Sequence, residues 1–376
     1  MALIDDMEAN VYTIPTDSPE SDGTFEWEKT TMILVRVVAG KQTGIGFTYS
    51  HAAAANLINE HFSPILEGRD VGDIPALWQR MTRSVRNMGR PGLVSDAISA
   101  IDIALWDLKA KLMDVPLCQL WGKARESVPV YGSGGFTSYS AEQLQEQLEG
   151  WRGEGLSQFK IKVGRNEEED LKRIKEARGI IGPESGLFVD ANGAYTRQKA
   201  LLMAHEFQPF HVSWFEEPVS SDDVQGLNYL LKRSPVGMSI AAGEYGYDIY
   251  YFLRMLEAGA VHVLQADVSR CGGFTGFFQI AALCEAFHIP LSSHTAPSLH
   301  LHACACLPQV CHMEYFHDHV RIEKIFFDGF PNLKDGCLCP DLKSPGLGLQ
   351  IKEKELEWYL VKHNAYNSMG KEKVYG

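Results

Sequence analysis

The sequence predicts an α/β fold, a closed (β/α)-barrel preceded by a smaller α+β unit. Three observations carry that expectation. Short apolar runs of strand character recur through the second half of the chain, at 159–163, 187–192, 212–217, 240–244, 263–267, 290–294 and 312–314. Their polar ends, Lys162, Asp190, Glu216, Glu244, Asp267, His294 and Glu314, are 28, 26, 28, 23, 27 and 20 residues apart, which is the length of a strand, a loop, a helix and a return loop. The runs are apolar without alternation for most of their length, as in a parallel sheet covered by helices. Seven or more such units in a row close into a barrel, whose chemistry sits where the strands end.

The elements follow in order. Residues 8–13 and 31–38 are rich in β-branched side chains and read as strands of a hairpin or meander. Between them, 15–27 is polar and acidic with Pro, Ser, Asp and Gly. It is expected to be a mobile loop, either capping a site in the other domain or serving as a plain connection. Gly44 and Gly46 lack the pattern of a phosphate-binding loop. Helices are expected at 52–62, 74–88 and 95–114. In the third, Ile98, Ile101, Leu105, Leu108 and Leu112 share one face and Ser95 stands ready to cap the start. Residues 116–122 form a loop or short helix, which closes an N-terminal unit at 1–125. Residues 128–135 make the first barrel strand and 141–151 the first barrel helix, within a barrel domain spanning 126–325. From 326 the period stops, and the charged tail from Lys352 is expected to be exposed.

Composition narrows the class. The chain has 376 residues, 45% hydrophobic and 22% charged, with a net charge of −13. That balance is ordinary for a soluble globular protein and argues against nucleic acid or an anionic membrane as partner. The eight cysteines are scattered, without a disulfide framework. Cys304, Cys306 and Cys311 beside His300 and His302 lack the paired spacing of a structural zinc site and read as packing residues. No apolar run reaches the roughly 18 residues of a membrane span. The N-terminus carries acids where a signal peptide needs bases, so a reducing, cytoplasmic setting is expected.

The strand ends carry the chemistry. Taken singly, an acid at a strand end is more often a surface residue. Asp190, Glu216 and Glu244 end three successive strands, and neighbouring strands are about 5 Å apart, so the three carboxylates converge. Like charges so close need a counter-cation, and an all-oxygen set suits Mg²⁺. Lys160 and Lys162 alternate with apolar residues and share the lumen face. Near a cation and another lysine, Lys162 gives up its proton more easily and can act as a base; Lys160 holds a neighbouring anion or lowers the pKa of Lys162. Asp267 and His294 end adjacent strands, where a carboxylate–imidazole bond fixes the histidine tautomer and sets an acid/base across the lumen from Lys162. Glu314 faces the same cavity, where it can hydrogen-bond a substrate oxygen if protonated or orient one if ionised. Tyr131, Asn192 and Glu217, with Ser133, Tyr195 and Tyr245, are the polar candidates for substrate contact. These parts suit removal of a proton next to a carboxylate, with the metal offsetting the charge that develops.

The motifs Lys160-Ile-Lys162, Asp190-Ala-Asn192, Trp214-Phe-Glu216-Glu-Pro218 and Gly243-Glu244, with Asp267, His294 and Glu314, resemble the enolase superfamily, mandelate racemase subgroup. So do residues 100–109 and Leu120-Trp-Gly122 in the N-terminal unit. The resemblance covers nearly the whole chain. It implies a modified (β/α)7β-barrel (a TIM barrel), an N-terminal α+β capping domain and a C-terminal segment, 326–376, that returns to the cap. It also implies Mg²⁺ on Asp190, Glu216 and Glu244, Lys162 as one base, His294 paired with Asp267 as the opposite acid/base, and Glu314 as a hydrogen-bond donor. The subgroup rests on the Asp–His pair; the muconate-cycloisomerase-like subgroup shows a lysine where this chain has Asp267. The expected activity is dehydration of an acid sugar, an aldonate or aldarate, to a 2-keto-3-deoxy acid. Racemisation or epimerisation of a 2-hydroxy acid, and an inert relative, are the alternatives. A small-molecule carboxylate is the expected partner, and a symmetric dimer or octamer is what the resemblance implies.

Overall fold

The computed structural model describes residues 1–361. The N-terminal unit opens with an antiparallel meander of β1 (Asp6–Ser21), β2 (Glu26–Ala39) and β3 (Gln42–Tyr49). Both outer strands pair with β2, from Asp6↔Val38 on one side and Met32↔Tyr49 on the other. The stretch expected as a mobile loop is instead the far end of the β1–β2 hairpin. Pairing resumes beyond an irregularity between Pro15 and Glu20 and ends in a tight turn after Ser21↔Glu26. Its polar composition misled because its partners lie in the barrel, not in its own domain.

The expected helices form at Ala53–Leu57, running on through a π turn and a short α turn to Leu66, then at Ile74–Ser84 and Leu93–Leu112. The last is buried on nearly every side, because it lies between the meander and the barrel. That position explains two sequence features. A Cβ on Gly46 would stand 2.6 Å from Ala104 N, so the glycine lets strand and helix backbones touch. Ser95 does not cap the helix, a role taken by Gly92; its hydroxyl donates to the carbonyls of Tyr247 and Arg270 at 2.8 and 2.7 Å and ties the cap to the barrel.

The barrel is parallel and closed. Its strands are β4 (Val128–Gly134), β5 (Gln158–Lys162), β6 (Gly186–Asp190), β7 (Val212–Glu216), β8 (Ser239–Ala242), β9 (Val263–Ala266), β10 (Leu291–Ser293) and β11 (Val310–Phe316). Each pairs with the next, and β11 pairs with β4, Glu314 opposite Tyr131. A helix follows every strand, from Ala141–Gly153 to His317–Phe326. The first begins with a reciprocal Ser140–Gln143 cap. The C-terminal segment returns to the cap as far as Val361: Thr13 N donates to Tyr359 O at 2.9 Å and Leu356 is buried, while most of the tail from Lys352 is exposed as expected. The expectation for 362–376 lies outside the described residues. Among the described residues no helix is long and apolar enough to cross a membrane. His300 and His302 each accept a backbone N–H, from Val268 and Cys118, in keeping with packing and not zinc.

The candidate active site

The strand register delivers the acids. Lys162, Asp190 and Glu216 are the last residues of their strands and stand side by side, Lys162↔Asp190↔Glu216. Glu244 lies two residues past β8, beyond Gly243. Asp190, Glu216 and Glu244 are buried and each offers a carboxylate oxygen within 4.8 Å of the others. Glu244 Oε2 makes no hydrogen bond among the described residues, although His294 Nε2 is 3.3 Å away. Hard oxygen donors, closely set and with an orphaned atom, fit a hard divalent cation. The electrostatics point the same way: burial first, and then Asp190, push the Glu216 carboxyl up, and burial with Glu244 does the same to Glu217.

Both lysines are buried, but they do different work. Lys160 Nζ is 2.6 Å from Glu216 Oε1, 2.7 Å from Glu314 Oε1 and 3.6 Å from Asp190 Oδ2. It is a counter-charge wedged under the cluster, without a place among the residues lining the cavity above. Lys162 Nζ is 2.5 Å from Asp190 Oδ2 and donates to Asn192 Oδ1 at 3.1 Å, and it does line that cavity. Burial alone would strip its proton, but Asp190 outweighs burial and the ammonium is held charged. The expected lowering is therefore not a property of the protein groups alone, and a cation sharing the Asp190 charge would favour it.

On the other side of the lumen, His294 Nδ1 is 2.8 Å from Asp267 Oδ2, which leaves Nε2 towards the cluster. Asp267 is further held by Ser269 N and Oγ, both at 2.7 Å. Burial would raise this carboxyl, but the His294 hydrogen bond and charge pull it well below its usual range. Glu314 accepts from Ser133 Oγ at 2.6 Å and from Thr295 N at 2.8 Å. Burial pushes it up, yet Lys160 prevails and keeps it ionised. Both its oxygens accept in this arrangement, and the donor role that the resemblance implies would require its carboxyl to be protonated.

A cavity of about 310 Å³ covers these groups. Its floor comes from the barrel, with Lys162, Asn192, Glu244, Arg270, His294 and Glu314. Its roof comes from the cap, with Asp22, Phe25, Trp27, Lys29, Tyr49 and Ser50. The β1–β2 hairpin thus caps the site, as one reading of 15–27 expected. It is held down firmly. A Cβ on Gly23 would meet Val163 O at 2.6 Å and Ala191 O at 2.7 Å. Arg165 donates to Asp22 O and Phe25 O and pairs with Glu26, and His317 pairs with Asp17 at 2.8 Å.

Not every candidate reaches this cavity. Tyr131 is fully buried in an apolar layer with Phe188, Trp214, Ala241 and Val263, three residues short of the end of β4, so it cannot touch substrate. Tyr195 donates to Asp170 outside the lumen. Glu217, turned by a left-handed backbone (φ 37), opens onto a neighbouring cavity with Tyr247 and Arg254. Asn192 and Tyr245 line both cavities. Sequence reasoning missed Arg270, which donates to Glu244 O at 3.1 Å, and His319; the only signal for Arg270 was a cation three residues past Asp267. His51 is exposed and off the cavity, whereas its neighbour Ser50 lines it.

The chain matches two family models. Residues 14–122 match the mandelate racemase / muconate lactonizing enzyme N-terminal domain, and residues 143–355 the enolase C-terminal domain-like family. A mandelate racemase/muconate lactonizing enzyme-like protein from Rubrobacter xylanophilus has a crystal structure that is 46% identical, with a TM-score of 0.93 over 95% of this chain and 99% of its own. A 3,6-anhydro-alpha-L-galactonate cycloisomerase of Streptomyces coelicolor is 34% identical over 361 residues, 93% of this chain and 98% of its own. The L-talarate/galactarate dehydratase of Salmonella typhimurium, solved with Mg and L-lyxarohydroxamate, is 29% identical, with a TM-score of 0.87 over 96% of this chain and 93% of its own.

Proposed function

From the premise that the chain belongs to the mandelate racemase / muconate lactonizing enzyme family of the enolase superfamily, we propose that it dehydrates an acid sugar, an aldonate or aldarate, to a 2-keto-3-deoxy acid. The observation that carries this is the placement of Lys162 and His294. They sit three strands apart around the barrel, on β5 and just past β10, and face one cavity across the three carboxylates.

Asp190, Glu216 and Glu244 would hold Mg²⁺, which when bound supplies a site for the substrate carboxylate and offsets the charge that builds on it. Lys162, in its neutral form, takes the proton from the carbon next to the carboxylate. His294 Nε2 gives a proton to the hydroxyl on the following carbon; that C–O bond breaks, water leaves, and the resulting enol becomes the keto acid. Asp267 keeps Nδ1 protonated and so frees Nε2 for transfer. Lys160 neutralises the buried acids and positions Glu216 and Glu314. Asn192 orients the Lys162 ammonium and lines the cavity beside it.

The cycloisomerase likeness supports a second reading, in which the same two groups move protons on a ring-containing acid. Purified protein with Mg²⁺ is to be screened against aldonic and aldaric acids, with 2-keto acid trapped by semicarbazide and α-proton exchange followed in D₂O. Keto acid establishes dehydration. Exchange without keto acid turns the reading to an isomerase or epimerase, and neither signal sinks proton abstraction altogether. A homo-oligomer, dimer or octamer, belongs to the same proposal and is read by light scattering.

A further inference from the structure

We propose that His319 is a specificity determinant, donating a hydrogen bond from Nε2 to one hydroxyl of the bound acid sugar; the inference rests on the acid-sugar reading above. His319 is the third residue past β11, in the first turn of the helix that begins at His317; it is 7% exposed and lines the same cavity as His294. The turn after His294 fixes its chemistry. Thr295 and Ala296 both adopt left-handed backbones (φ 47 and 37), so their two N–H groups point in turn at Glu314 Oε2, at 2.8 Å, and at His319 Nδ1, at 3.3 Å. A backbone N–H can only donate. Nδ1 therefore carries no proton, and the ring is neutral with its hydrogen on Nε2. Among the described residues nothing pairs with Nε2. Burial, and the nearness of His294, also hold the ring in its neutral form.

The ring has little freedom to turn away. Tyr49 of the cap stacks on its face with centroids 3.5 Å apart, and Phe316 meets it edge-on at 5.1 Å. The cap lines the cavity with Thr30, Thr31 and Ser50 as well as with Asp22 and Lys29, and the cap residue in contact with the ring, Tyr49, is uncharged. A neutral donor held against an uncharged ring suits a hydroxyl oxygen better than a second carboxylate. Because His319 adjoins the group that protonates the leaving hydroxyl, it reads the configuration of a carbon close to the reacting pair. Discrimination built on a buried donor is steep, because the wrong epimer leaves that donor unpaired.

Two substitutions separate recognition from structure. In His319→Asn the amide reaches where Nδ1 stood and keeps the Ala296 contact, but the cavity donor is gone. In His319→Gln the amide reaches where Nε2 stood and keeps the donor, but loses the Ala296 contact. Each is compared with wild type on galactarate against D-glucarate, and on D-galactonate against D-gluconate, pairs that differ at carbon 4. The readouts are kcat/KM and the Mg²⁺-dependent rise in Tm on binding. We expect the asparagine variant to fold normally but to lose tenfold to a hundredfold of the wild-type preference between epimers, and the glutamine variant to keep most of it. Retention of the full preference in the asparagine variant, or its loss only in the glutamine variant, would overturn the assignment. An acid that binds wild type with a preference but is not turned over defeats the dehydratase reading while still testing His319. Equal binding of both epimers by wild type defeats the His319 assignment alone.

Discussion

The barrel lumen holds two layers built by one rule, and they behave as opposites. The lower layer is Tyr131, Phe188, Trp214, Ala241 and Val263, with His312 against the rings, and it is aromatic and aliphatic packing. The upper layer is Asp190, Glu216, Glu244 and Glu314, with the two lysine ammonium groups. On β6, β7 and β11 the two layers are consecutive inward positions: Phe188 and Asp190, Trp214 and Glu216, His312 and Glu314. Two residues of strand, about 7 Å, separate structure from chemistry. Lys160 joins them. Its Cα is in register with Phe188, and its ammonium sits 5.4 Å from the Tyr131 ring centre yet 2.6 Å from Glu216. Trp214 joins them too, donating from Nε1 to Glu216 Oε2 at 2.9 Å. A rigid apolar floor is what allows four acids to be held above it in fixed positions.

That contrast can be broken from either side. The largest effect is expected above. Lys162→Ala and His294→Asn should each lower α-proton exchange and keto acid formation by about 10²–10⁴-fold with little change in Tm; an active Lys162→Ala protein would remove it from the proton path. In the lower layer, Phe188→Ala should cost about 3–5 kcal/mol in urea unfolding, while folded protein retains most of its exchange activity. If activity collapses with stability intact, the layers are not separable. For the metal, Mg²⁺ at a hundred times its Kd should stabilise by about 2.7 kcal/mol, and EDTA should reverse it. Glu216→Gln should abolish that response without lowering the Tm of metal-free protein, since it removes a buried like charge.

The smallest effect lies outside the lumen, where cap and barrel meet. Glu323 is buried against Tyr49 and the Ser298 backbone, and burial raises its carboxyl to about 7. A carboxyl whose folded pKa is raised favours folding while it stays protonated, and that contribution fades as pH rises from its unfolded value of 4.5 through about 7. The Tm should therefore fall across that window, and less so in Glu323→Gln. An equal slope in both proteins would place the pH dependence elsewhere, for instance at Asp102, also raised to about 7 by burial.

Much of this was legible beforehand, because it is local. The βα period, the polar strand ends and the pairing of Asp267 with His294 all follow from spacing along one chain. Other features were not. The hairpin tip at 15–27 read as a loop, since the groups that hold it, Arg165, Thr137 and His317, are more than 110 residues away. Tyr131 read as a mouth residue because a tyrosine near glycines looks the same at either depth of a strand. Ser95 looked like a cap because its two acceptors belong to another domain.

Local pattern was enough to set the barrel, the α+β unit before it and the three acids, lysine and histidine that meet at its mouth, because periodicity two and the βα repeat dictate which side chains turn inward; the capping role of that unit came from the family resemblance. The tertiary structure alone decided depth and state. It sank Tyr131 and Lys160 below the cavity, kept Glu314 ionised, turned Glu217 aside and brought Tyr49 onto His319. Those outcomes depend on burial and on charges contributed by strands far apart in sequence, and neither can be read from one strand at a time.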